Sequence, residues 1–100
     1  MSTVDNDELV IDEVEAAFRR AYRRYRQANA VEQLDLAEPL QKAATAWVDA
    51  QRSLVEAGQI ATADQLAEIR RIRHAIDDAR QTQEFVIALG RLTSFLIAFV

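Results

Sequence analysis

Apolar residues in this chain recur at alternating spacings of three and four, the signature of helices that each bury one stripe. At roughly 100° per residue, Ile11, Val14, Phe18, Ala21, Tyr25 and Ala28 fall on one narrow side, which predicts helix 1 over about 5–30. The same alternation is the seam pattern of a coiled coil. Leu36, Leu40, Ala43, Trp47, Ala50, Leu54 and Ala57 predict helix 2 over about 36–57. Pro39 then falls near its start, where a missing N–H costs nothing, and Gly58 falls where a left-handed C-terminal cap is wanted. The short connection predicts that helices 1 and 2 pack as antiparallel neighbours, Ile11, Val14, Phe18 and Tyr25 against Leu40, Trp47 and Leu54.

A third helix is expected over about 62–99. Thr62 and Gln65 have the spacing of a capping box. Ile69, Ile72, Ile76 and Ala79 form its first apolar face, with Leu66 and Ala75 beside it, and Arg70, His74, Asp77 and Asp78 lie away from it. Beyond residue 82 that direction carries Gln83, Val86, Gly90, Ser94 and Ile97, while Phe85, Leu89, Leu92, Leu96 and Phe99 line nearly the opposite side. The apolar face therefore flips by about half a turn near residues 80–84. A straight helix over 62–99 would reach about 55–60 Å and overhang the hairpin as a bare apolar rod. Two arrangements resolve this. The overhang pairs with a second copy in a closed dimer, or the chain breaks near 81–84 and folds back as a fourth helix. Gln81-Thr82-Gln83-Glu84 holds no Gly or Pro, which favours the dimer.

Composition adds the class. Two Gly and one Pro leave few breaks, and alanine, arginine and glutamine are good helix formers, so the chain reads as a single all-α domain over 1–100 assembled as a helical bundle. Cysteine is absent, which removes disulfides and thiolate metal sites. Eleven arginines against one lysine, with abundant alanine, point to a GC-rich bacterial source. The acidic start, Asp5 to Glu8, does not read as a secretory signal, so a cytoplasmic location is expected. A net charge of −4 disfavours non-specific binding to nucleic acid.

Candidate chemistry is sparse. Arg19, Arg20, Arg23, Arg24 and Arg26, interleaved with Tyr22 and Tyr25, could grip phosphates or an acidic partner. They also occupy the basic end of a helix whose start is acidic, complementing the helix dipole, with Glu15 and Arg19 spaced as an i,i+4 pair. A solvated face, dispensable for folding, is the simpler reading. His74 is the only histidine and lies on an exposed face, with Arg71 where a carboxylate-bridged metal motif would place Glu. Adjacent acids such as Asp77-Asp78 diverge by about 100° on a helix and share no site. No phosphate loop, nucleophile elbow or zinc-protease motif occurs. No catalytic, cofactor or metal site is expected.

The expected function is a non-catalytic protein–protein interaction module: an adaptor, assembly chaperone or regulatory subunit. The expected oligomer is a homodimer through Phe85, Leu89, Leu92, Phe95, Leu96 and Phe99. Arg19, Arg20, Arg23, Arg24 and Arg26 form the candidate face for an acidic partner. One alternative is a peripheral or tail-anchored membrane protein using 85–100, although that segment reaches only about 24 Å against a core about 30 Å thick and carries Arg91 near its middle. The other is nucleic-acid binding through the arginine face.

Overall fold

The computed structural model describes residues 6–56 and 61–99, which form four helices: α1 (Asn6–Gln27), α2 (Ala30–Glu56), α3 (Ala63–Asp78) and α4 (Thr82–Ile97). Their packing makes an all-α bundle, as the periodicity predicts.

Asn29 decides where α2 begins. Its side-chain Oδ1 accepts from the Glu32 backbone amide at 2.9 Å, and its side-chain Nδ2 donates to the Glu32 carboxylate at 2.8 Å. This reciprocal cap starts the helix at Ala30, so Pro39 lies in its third turn and not at its opening. The proline is tolerated there because the carbonyl it leaves without a donor belongs to Asp35, an exposed residue that water can reach. At α3 the capping box forms as its spacing predicts. The Gln65 amide donates to Thr62 Oγ1 at 3.1 Å, and the Thr62 amide donates to Gln65 Oε1 at 2.8 Å. The cap expected at Gly58 lies outside the described residues.

The stretch expected as one long third helix is two helices. Ahead of α4 the backbone turns through extended conformations, φ −63° and ψ 120° at Ala79 and φ −99° and ψ 150° at Gln81. Neither needs a positive φ, so the turn requires neither glycine nor proline. Arg24 of α1 collects the carbonyls freed at the break, donating to Ala79 O at 2.6 Å and Arg80 O at 2.8 Å. The chain folds back, and the overhanging rod that motivated the dimer does not exist.

The hairpins α1–α2 and α3–α4 lie side by side, pointing the same way. Asp7 accepts from the Ala61 amide at one end of α1, and Arg24 meets Ala79 at the other, so α1 and α3 run parallel. Thr82 Oγ1 donates to Glu32 at 3.0 Å, which places the starts of α4 and α2 together. Around the bundle the order is α1, α3, α4, α2. The closest packing is α2 on α4 and α1 on α3, while the contact of α1 with its sequence neighbour α2 is the slightest. The expected α1–α2 seam is thus a minor contact.

Buried alanines are most frequent on the first hairpin and bulky side chains on the second. Ala17 and Ala21 on α1 and Ala43, Ala46 and Ala50 on α2 are buried, and so are the bulky Ile69, Ile72 and Ile76 on α3 and Phe85, Leu89 and Leu92 on α4. Val10, Val14, Phe18, Leu36 and Leu40 are buried with them, so alanines and larger side chains share the core between the hairpins. The α1 stripe is rotated slightly from expectation. Val10 and Ala17 are buried, and Ile11 is only half-buried. Trp47 is likewise half-buried.

Candidate functional site

The bulky C-terminal residues are internal to the chain. Phe85, Leu89, Leu92, Phe95, Leu96 and Phe99 are all buried, with the Phe95 and Phe99 rings edge to face at 5.3 Å. They are therefore not a surface that a second copy or a lipid layer can reach in this fold, which corrects their expected role as an interface. Among the described residues, no helix is long and apolar enough to cross a membrane.

The arginine face divides in two. On the side turned to α3 the charges are engaged. Arg20 Nε lies 3.1 Å from Asp77, Arg73 bonds Glu13, and Arg70 reaches Glu13 at 3.7 Å. Arg24 binds two carbonyls and lies 5.0 Å over the Phe85 ring. Arg20 and Arg24 are thus partly structural, and the wholly solvated face is corrected on that point. Arg19, Arg23 and Arg26 are exposed and make no hydrogen bond or ion pair with the described residues. The expected Glu15–Arg19 pair does not form, whereas Arg73–Asp77 does, at 3.5 Å. Arg19, Arg20, Arg23 and Arg73 surround Ala16 in a concavity of about 290 Å³.

A second surface follows from the fold-back. With its bulky stripe inward, α4 turns Val86, Gly90, Ser94 and Ile97 outward, the direction expected from the sequence, with Ile87 and Thr93 beside them. Ile87 and Ile97 are 60% and 58% exposed, and Leu34 on α2 is 78% exposed. Between α2 and α4 run two adjoining hollows of about 510 Å³ each, which share Glu38, Lys42 and Thr93. Together they form a groove from Leu34 and Val86 to Asp49 and Ile97. Gly90 lines its first hollow, and a Cβ built there meets nothing within 4 Å. The rim carries Asp35, Glu38 and Asp49 against Lys42, and Lys42 is held by Glu38 at 3.1 Å. Sequence reasoning missed this groove because Leu34 stands off the core stripe and only the assembled pair creates the hollow.

Titratable groups cluster little. His74 is exposed, and no three metal-ligating side chains converge among the described residues. Among the described residues, Glu68 is the acid whose carboxyl is held clearly below its ordinary range. The Arg71 hydrogen bond is the main cause, with further help from the Arg71 and Arg91 charges.

The geometry defines an all-α bundle of two hairpins with an acid-rimmed groove and a charged helix face. No protein-family model matches the chain, and no curated protein or solved structure matches it.

Proposed function

We propose that this protein is a non-catalytic interaction module of a bacterial cytoplasm, an adaptor, assembly chaperone or regulatory subunit, that receives a partner helix in the α2–α4 groove. The observation that supports it most is Gly90. A glycine inside a helix costs about 1 kcal/mol relative to alanine, and among the described residues nothing lies within 4 Å of the Cβ it lacks. Close approach of another backbone gives that space a use. The groove spans Leu34 to Asp49, roughly 22 Å at the α-helical rise, or about four turns. Its rim is net acidic, so the fitting occupant is an amphipathic helix with small apolar residues on its contact face and Lys or Arg along its edges. Homodimerisation belongs to the same reading, by a surface other than the buried stripe of Phe85, Leu89, Leu92, Phe95, Leu96 and Phe99.

A library of helical peptides panned against the folded protein tests this. The selected sequences should converge on basic amphipathic helices and lose binding to Gly90→Arg, a variant whose new side chain projects into open space. Selection of acidic or non-helical sequences, or binding that survives Gly90→Arg, would remove the reading.

A further inference from the structure

The outer stripe of α1 carries a charge pattern that is its own complement. At roughly 100° per residue, Glu8, Asp12, Glu15, Arg19, Arg23 and Arg26 fall within one sector of about 80°. All six are exposed, and none makes a hydrogen bond or ion pair with the described residues. One flank away, Glu13, Arg20 and Arg24 are all engaged with α3 or the break that follows it. Acids fill the first half of the stripe and bases the second. Glu8 with Asp12, and Arg19 with Arg23, are like charges four apart, an arrangement that weakens an isolated helix. The helix dipole does not account for the pattern, because its influence fades within the terminal turns while Asp12, Glu15 and Arg19 sit in the middle ones.

We infer that α1 pairs with α1 of a second copy, antiparallel, about a two-fold axis near residue 17. Positions 8 and 26, 12 and 23, and 15 and 19 are each centred on residue 17 to within half a residue. A two-fold axis there sets each acid of one copy opposite a base of the other, so three kinds of pair each form twice. Half-buried Ala16, the smallest side chain near the axis, lets the helices approach. The concavity beside it, walled by Arg19, Arg20, Arg23 and Arg73, receives a carboxylate from the second copy. This surface is separate from the α2–α4 groove, and a copy bound at α1 leaves the groove open.

Light scattering on the full chain reads the outcome. Exposed charges act over about 30 Å at 0.01 M salt and about 3 Å at 1 M. The protein should be dimeric at the first and monomeric at the second. A chain with Arg19→Glu, Arg23→Glu and Arg26→Glu, and another with Glu8→Arg, Asp12→Arg and Glu15→Arg, should each be monomeric alone and dimeric when mixed. Because the chain lacks cysteine, Ala16→Cys alone should give a covalent dimer with a short bismaleimide, and Ser94→Cys on α4 should not. That arm needs no charge reversal and so does not depend on the triple variants folding. A monomer at low salt, a triple variant that dimerises by itself, or linkage through Ser94→Cys in place of Ala16→Cys would overturn the inference. The last result would leave the α4 face as a binding surface.

Discussion

Arg24 Nη1 donates to the carbonyl oxygen of Ala79 at 2.6 Å, across 55 positions of sequence. The same guanidinium binds the Arg80 carbonyl and covers the Phe85 ring, so one side chain of α1 holds both sides of the break between α3 and α4. Arg24→Gln should therefore lower stability by about 1.5–3 kcal/mol, the range for a hydrogen bond from a charged donor. Arg23→Gln, one residue away on the outer stripe, should change it by less than about 0.5 kcal/mol. Urea titrations of the two variants compare them directly, and equal effects would contradict the clamp.

Gly90→Ala should stabilise the protein. The added methyl meets nothing within 4 Å and restricts the unfolded chain, for a gain of about 0.5–1 kcal/mol. A higher melting temperature in calorimetry is the expected result.

Phe18 is buried where α1 joins the core, with its ring centroid 6.1 Å from that of Tyr22. Phe18→Ala should cost about 3–5 kcal/mol, measured by chemical denaturation. Tyr22→Ala should cost much less, because Tyr22 is 43% exposed.

Glu68 supplies a dependence on acid. Its carboxyl is depressed in the folded protein, chiefly by the Arg71 hydrogen bond, so its contribution to stability is complete above the ordinary value of 4.5. That contribution is lost as the pH falls through the lower folded value. Partial exposure and solvent screening keep it small. Glu68→Gln should be less stable than the parent at neutral pH, and the two should converge in acid. A difference that persists at low pH would assign the effect to packing.

The helical class and the buried faces of α3 and α4 were legible because period and burial coincide there. Ile69, Ile72 and Ile76 lie inside as their spacing requires, and the half-turn flip of the apolar stripe near residues 80–84 marks the fold-back. The turn itself was not legible. Local composition argued against a break, while the group that permits it, Arg24, lies more than fifty residues upstream. Likewise, the α2 stripe did not reveal that its alanines prefer α4 to α1, because that preference depends on the shape of a distant surface. The Asn29–Glu32 cap had a sequence signature of its own, but Pro39 drew the expected helix start away from it. Of the candidate residues, Arg19, Arg23 and Arg26 remain available at the surface, and the six bulky residues from Phe85 to Phe99 do not.

The parallel pairing of α1 with α3 and α2 with α4 places the largest contacts some fifty residues apart. Most of the chain must exist before its principal interfaces can close, so contact order is high for a helical protein and folding should be slow for this class. Neither hairpin carries a complete core, because each buries its apolar face chiefly against the other. Separate peptides spanning 1–58 and 59–100 should each be largely unstructured alone and should reconstitute the bundle when combined, making this one chain the covalent form of a two-component assembly.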